Sequence, residues 1–335
     1  MSVPDHPLGP VDEFDWIERL LRPLTGDAPE AFGLQDDAAA IPSRPGWDLI
    51  ISKDAMVEGV HFLADDPADL IARKLLRVNL SDLAAKGAEP YGYFLAVAWP
   101  ARFGWPQRCA FVEGLSSDQA RFGLKLLGGD TVSTPGPLTV SLTILGWTPA
   151  GAMVRRGSAK PGDVVLVSGS IGDGWLGLQA ARGSLAGLRE EDRAWLADRY
   201  RLPQPRTGLQ AALQRLANAA ADVSDGLIAD AGHIALASGV GLRLELDRLP
   251  ISAPAERWLS GEADDTAARV ALATGGDDYE IVCTASPANV APLLAAARAL
   301  DLPLTPIGAV VTGSGVEVTS GGRRVLVRAG GYRHG

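Results

Sequence analysis

TPAGAMVRRGSAKPGDVVLVSG, residues 148–169, carries the chain from one round of strands and helices into a second. Its first half is Gly, Pro and small residues, the composition of a junction. Its second half, DVVLVSG (163–169), is a short apolar run closed by glycine, the pattern of a buried strand. A junction followed by a fresh strand splits the 335 residues near their middle. Length alone favours about two domains. The expected boundaries are 1–148 and 149–335.

Upstream, a helix is expected at 12–22, where Phe14, Ile17, Leu20 and Leu21 approach helical spacing. WDLIIS (47–52) reads as a strand ending at Lys53-Asp54. Pro67 opens a helix running to about Lys86, and Gly87 stops it. Strands follow at 91–99 and 137–147, with a helix at 105–122 between them; LKLLG reads as a further strand. Downstream come helices within 172–217 and at 226–238, then strands at 241–247 and 279–285. A helix at 287–300 and strands near 304–311 and 315–327 finish the chain. Strands mixed with helices in both halves predict an α/β (α+β) fold with helix-flanked mixed sheets in each domain.

A 47% hydrophobic content supports a large core, and 21% charged residues place the chain among ordinary globular proteins. The net charge of −9 argues against a nucleic-acid binder. Cys109 and Cys283 sit in apolar surroundings and form no C-x-x-C, so they read as buried thiols in a reducing compartment. The first residues lack the basic and apolar regions of a signal peptide, and no apolar run reaches membrane-spanning length. A cytoplasmic location is the default expectation.

Acids recur beside Gly, Ser or Thr in six short segments: GLQDDAA (33–39), ISKDAMVEGVHF (51–62), NLSDLAAKGAEP (79–90), LLGGDTVS (126–133), ADVSDGL (221–227) and TGGDDYE (274–280). Converging carboxylates repel, so they need a cation. With only four histidines and two cysteines, that cation is a hard one such as Mg²⁺. Mg²⁺ among glycine turns suggests a polyphosphate ligand. Each segment also has a plain reading. Asp82 has Arg73, Arg77 and Lys86 as prospective ion-pair partners, Gly128-Gly129-Asp130 reads as a double-glycine turn, and Ser224 or Asp225 as the N-cap of the next helix. P-loop, Rossmann, zincin, nucleophile-elbow and protein-kinase motifs are absent. A non-catalytic acidic metal-binding module remains open, although no EF-hand loop supports it.

Taken in order, DDAA, S-x-D-x-x-V-E-G-V-H-F, NLSDLAAKGAEP, GGDT, RRGSAKPGD, DVSDGL, GGDDYE and GYRH resemble the thiamine-monophosphate kinase family. That family shares a superfamily with aminoimidazole ribonucleotide synthetase and selenophosphate synthetase. The resemblance spans Gly33 to Tyr332. It implies a homodimer formed through the N-terminal domain, which also binds ATP and Mg²⁺, with a C-terminal domain that completes the active site. It implies transfer of the γ-phosphoryl of ATP to thiamine monophosphate. Position by position it implies metal ligands at Asp37, Ser52, Asp54, Asp82, Asp130, Asp222 and Asp225. It implies nucleotide contacts at Gly129, Asp130, Arg156 and Ser224, and substrate contacts at His61, Asp277 and Tyr332. Asp130, Asp222 and Arg156 carry the transfer in this reading. A sister synthetase of the same superfamily is the alternative. Lys53 stands where the family usually has Thr, which directs it toward phosphate in place of metal. Gln35 replaces the usual Gly before the acid pair, and the GYRH segment lacks its usual Phe.

Overall fold

The computed structural model describes residues 13–332, so Arg333 and His334 of the GYRH segment and residue 12 of the opening helix lie outside the described residues. The chain divides into two compact units. One holds the residues up to Leu83 and Glu89–Gly151, and the other holds Ala84–Ala88 and the chain from Ala152 onward.

The first unit opens with α1 (Glu13–Trp16), a π-helical turn over Ile17–Leu21 and a 3-10 turn over Arg22–Thr25. It continues through β1 (Trp47–Val57), α2 (Ala68–Ala85), β2 (Glu89–Pro100), α3 (Trp105–Phe122), β3 (Leu126–Thr134) and β4 (Thr139–Pro149). Pro67 precedes α2, and Gly87 at φ +72° ends it in the left-handed region. The sheet order is β1-β4-β2-β3, antiparallel except for β2 with β3. Tyr93, Leu95, Val97, Leu142 and Ile144 are buried on one face. The helices cover that face: the Tyr93 hydroxyl donates to Gln119 of α3, and Phe111 packs edge-on against Trp99. Arg77 of α2 donates to Asp118 of α3 at 2.5 and 3.0 Å, both side chains fully buried. The other face carries Ile51, Lys53, Ala55, Phe94, Ala96, Thr143 and Val132. Ile51 is 59% exposed and Val132 52%, so part of this face is open within the single chain, while Leu145 and Phe94 on it pack in a small core with Ala28 and Ala31.

The second unit begins at β5 (Val164–Ser168), followed by α4 (Asp173–Ala181), α5 (Glu190–Arg201) and α6 (Gln210–Leu216). Next come β6 (Ala219–Val223), α7 (Leu227–Ser238), β7 (Gly241–Glu245), α8 (Ala253–Leu259) and α9 (Asp265–Thr274). β8 (Glu280–Ala285), α10 (Pro287–Arg298), β9 (Leu304–Val311), β10 (Gly315–Ser320) and β11 (Arg323–Val325) complete it. The seven strands form one mixed sheet, β11-β10-β7-β9-β5-β8-β6. Its strands β5, β6 and β8 are buried on both faces: Val165 and Val167 enter one core while Leu166 enters the other. Strands covered on both sides lose polar alternation, which is why DVVLVSG reads as a continuous apolar run. β5 and β6 are both antiparallel to β8, so the loops after β5 and β6 and the loop before β8 share one end of the sheet. At the outer edge of β6, Ala220 donates to the Arg155 carbonyl at 3.2 Å, and Lys86 Nζ donates to the Ala220 carbonyl at 2.8 Å. No helix among the described residues is long and apolar enough to cross a membrane.

Candidate active site

In the first unit, Ser52 and Asp54 project from β1 onto the helix-covered face, where Asp82 of α2 meets them. Ser52 Oγ donates to Asp82 Oδ2 at 2.5 Å. The Asp54 amide donates to Asn79 Oδ1 at 3.0 Å, and Asn79 is held in turn by the Leu75 carbonyl at 2.9 Å. Burial first, and the neighbouring Asp82 carboxylate second, push Asp54 up to about 6. Asp82 does not take the ion-pair partners its helix offers: Arg73 and Arg77 pair with Asp118, and Lys86 reaches Ala220. Two carboxylates and a hydroxyl, oxygen donors only, fit a hard divalent cation.

The other acids of this unit lie elsewhere. Cross-strand register sets Asp54 in a row with Leu142, Leu95 and Gly129, and Ser52 in one with Ile144 and Tyr93, whereas Asp130 shares a row with Ala96, Ser141 and Ala55 on the opposite face. Asp130 lines a cavity of about 410 Å³ with Asp36, Asp37, Gly128 and Gly129. The structure thus brings Asp37, Gly129 and Asp130 together, separately from the Ser52–Asp54–Asp82 group. The expected double-glycine turn is instead the middle of β3. Gly129 is required by packing, since a Cβ there would lie 1.9 Å from the Leu95 carbonyl oxygen. Lys53 stands apart from the Ser52–Asp54–Asp82 group. Strand alternation turns it to the face opposite Ser52 and Asp54, where Nζ lies 3.5 Å from Thr143 Oγ1.

His61 closes a tight turn after β1. Its Nδ1 accepts from the Val57 amide at 3.0 Å, which leaves the ring proton on Nε2. Its carbonyl accepts from Lys74 Nζ at 3.0 Å. Glu58 fixes the same turn by accepting from the Leu138 amide and from Arg102.

In the second unit, Asp222 lies near the end of β6, 5% exposed, opposite Ile281. Ser224 and Asp225 form the turn into α7. The Ser224 carbonyl accepts from the Asp277 amide at 2.8 Å, and the Asp225 carbonyl accepts from the Tyr332 amide at 2.9 Å. Four expected site residues are therefore laced together through main chain. The lacing leaves no room for side chains at Gly276 (φ +75°) or Gly331, whose Cβ atoms would lie 2.7 and 2.4 Å from the carbonyl oxygens of Ser224 and Asp225. The loop bearing Arg156 packs on the end of α7, where the Ser238 hydroxyl donates to the Arg156 carbonyl at 3.0 Å. The exposed Arg156 guanidinium acts on the nearby Asp230.

Asp230 and the later acids of GGDDYE escaped the sequence reading as site-forming residues. Asp230 Oδ2 accepts from the amides of Ser224, Asp225 and Gly226 at 3.1, 3.1 and 3.2 Å. Burial, then Asp225, push Asp230 up to about 7. Asp225, Asp230 and His233 bring ligand atoms within 4.8 Å of one another. Asp278 accepts from the amides of Gly172 and Gly174 at the start of α4, at 2.8 and 2.9 Å. Glu280, fully buried, accepts from Ser168, Arg199 and Arg206. The carboxylates of Asp278 and Glu280 thus serve the start of α4 and the buried arginine pair. The available signal was an aspartate inside the apolar run LIADAGHIALA, since a buried carboxylate must find donors.

Comparison with known proteins adds the following. Residues 35–148 match the AIR synthase related protein N-terminal domain, and residues 160–321 match the corresponding C-terminal domain. The chain is 54% identical to the thiamine-monophosphate kinase of Caulobacter vibrioides, covering 97% of this chain and 92% of the relative. It is 40% identical to the enzyme of that name from Escherichia coli K12, covering 90% and 91%. A crystal structure of thiamine-monophosphate kinase from Stenotrophomonas maltophilia superposes with a TM-score of 0.81 at 38% identity, covering 92% and 96%. A structure of AaThiL complexed with AMPPCP and TMP superposes with a TM-score of 0.76 at 27% identity, covering 87% and 89%.

Proposed function

The chain belongs to the AIR synthase related family, in its thiamine-monophosphate kinase branch, and from that premise we propose that it phosphorylates thiamine monophosphate with ATP, yielding thiamine diphosphate and ADP. The observation that carries this reading is 54% identity to a thiamine-monophosphate kinase over 97% of the chain. The AaThiL structure with AMPPCP and TMP supports the ATP-plus-monophosphate pairing.

An ionised oxygen of the monophosphate attacks the γ-phosphorus, a new phosphoanhydride bond forms, and ADP leaves with the electrons of the broken one. The attacking oxygen carries no proton to remove, so no strong general base is needed. In the first unit, Ser52, Asp54 and Asp82 would hold one cation, and Asp37 and Asp130 would hold another at the wall of their shared cavity. In the second unit, Asp222 and Asp225 supply further carboxylates. When bound there, Mg²⁺ would supply charge neutralisation between the ATP polyphosphate and the acceptor monophosphate, and alignment for in-line attack. Arg156, exposed on its loop, offsets nucleotide charge, and Ser224 and Gly129 sit by the nucleotide. His61 offers its Nε2 proton to the substrate. Asp277 meets the cationic thiazolium, and the half-exposed Tyr332 ring stacks on it.

Lys53 takes no metal role in this reading, because an ammonium offers no lone pair to a cation and the side chain lies on the face opposite Ser52 and Asp54. That face, with Ile51, Val132, Phe94 and the alanines, supports a homodimer in which a second copy covers it. A cytoplasmic location suits the buried free thiols.

The test is a product assay with purified protein, ATP, Mg²⁺ and thiamine monophosphate, with and without EDTA. Thiamine diphosphate formed one-to-one with ADP and abolished by EDTA is the expected result. ATP binding with no thiamine diphosphate would move the assignment to a sister synthetase.

A further inference from the structure

The turn bearing Ser224 and Asp225 has an uncommon support. Three consecutive amides, Ser224, Asp225 and Gly226, converge on one carboxylate oxygen of Asp230, which is 2% exposed. Asp230 lies in the first turn of α7 and its own amide bonds the Gly226 carbonyl at 3.0 Å, so side chain and main chain close on the same few residues. With its amides drawn to Asp230, the turn presents the Ser224 and Asp225 carbonyls to the amides of Asp277 and Tyr332. Gly226, at φ +126° and against Thr274, permits that path.

We propose that Asp230 is the positioning residue of this half of the site: its carboxylate clamps residues 224–226 and so fixes Ser224 and Asp225 in register with Asp277 and Tyr332. The inference rests on the kinase reading for its kinetics, but the clamp itself is readable without catalysis. A bond donated by an amide to an ionised carboxylate is stronger than a neutral one, and here three amides share one acceptor oxygen. Asp230 thereby acts through the turn and touches no substrate. A ligand role in the Asp225–Asp230–His233 group would fall to the other carboxylate oxygen, since Oδ2 is taken by the three amides.

The experiment compares Asp230→Asn with Asp192→Asn, a buried carboxylate of the same unit held by Arg189 and Arg257 outside the site. It measures kcat, KM for thiamine monophosphate, melting temperature and deuterium uptake of peptides covering 222–232, 274–281 and 326–335. For D230N the expected result is a kcat loss of at least tenfold, a several-fold rise in KM, and faster exchange confined to these peptides. D192N should lower the melting temperature with kcat within twofold. Equal kinetic losses in both variants, or a D230N enzyme within twofold of wild type, would overturn the proposal. His233→Ala should leave the divalent-cation requirement unchanged; a shift matching that of D230N would make Asp230 a ligand and end the clamp reading. If D230N does not fold, uptake in the wild-type protein decides: amides 224–226 must exchange slowly although they lie in a turn. Wild-type protein that forms no thiamine diphosphate would sink the kinase reading while leaving this exchange measurement to judge the clamp.

Discussion

Replacing Asp82 by Asn separates the metal reading of the first unit from a purely structural one, because the two predict opposite stability changes. The amide keeps the size of the carboxylate and an oxygen for Ser52, so packing is preserved. What changes is charge. The rise of Asp54 from 3.8 to about 6 corresponds to about 3 kcal/mol against its ionised form. Burial is the larger cause, so Asp82 accounts for less than half, about 1 kcal/mol. Without divalent cation, D82N should therefore be more stable than wild type, by about 2–4 °C in melting temperature. With Mg²⁺ the order should invert, since wild type gains from filling a two-carboxylate site and the variant gains little. Half-activation by Mg²⁺ should rise at least tenfold, the loss seen when even an outer partner of a metal site is removed. The assay is thiamine diphosphate formation against Mg²⁺ concentration, beside melting curves at zero and saturating Mg²⁺. A variant that melts lower without metal and keeps the wild-type Mg²⁺ curve would refute the reasoning.

Asp130→Asn and Asp222→Asn should each lose most activity while circular dichroism and melting stay near wild type; two near-wild-type rates would remove these residues from the metal set. Gly129→Ala should cost about 3 kcal/mol or more, because its methyl would meet the Leu95 carbonyl; chemical denaturation checks it, and an unchanged midpoint would show that β3 can shift. Arg257, then Arg189, hold Asp192 down at about 2, so that carboxylate contributes stability above roughly its ordinary range and loses it as pH falls toward 2. Acid unfolding should begin at higher pH than wild type in Arg257→Ala, and superimposable acid transitions would count against the ion pair.

Much of the architecture was written locally. Pro67 and Gly87 bracket α2, and α3 ends at Gly123 in the left-handed region, so stop signals placed both helices. β6 was not legible: Ala219, Ala220 and Ala221 have weak strand preference, and only pairing with β8 makes them a strand. The short helices α8 and α9 were missed for the same reason, since tertiary packing stabilises them more than pattern does. At the site, the acids were found as types but their tasks were not. Asp277, Asp278 and Glu280 look alike in sequence. Their partners, the Ser224 carbonyl, the amides before α4, and two arginines from beyond α4, are fixed only by the sheet. Lys53 was legible in principle, since alternation along β1 sends it away from Ser52 and Asp54.

The second unit includes five residues, Ala84–Ala88, that the chain delivers before the first unit is finished. Lys86 among them covers the Ala220 carbonyl on the outer edge of β6. A protease cut or gene fusion that frees the second unit at Ala152 would strip away that cover together with the small side chains of Ala84 and Ala85. The fragment would keep its sheet and the Arg155 contact to the Ala220 amide, but the Ala220 carbonyl on that edge would lose its cover and become open to pairing with another copy. Dissecting this protein into halves at the obvious linker should therefore yield aggregates, whereas a fragment supplied with a peptide spanning 84–88 should stay in solution.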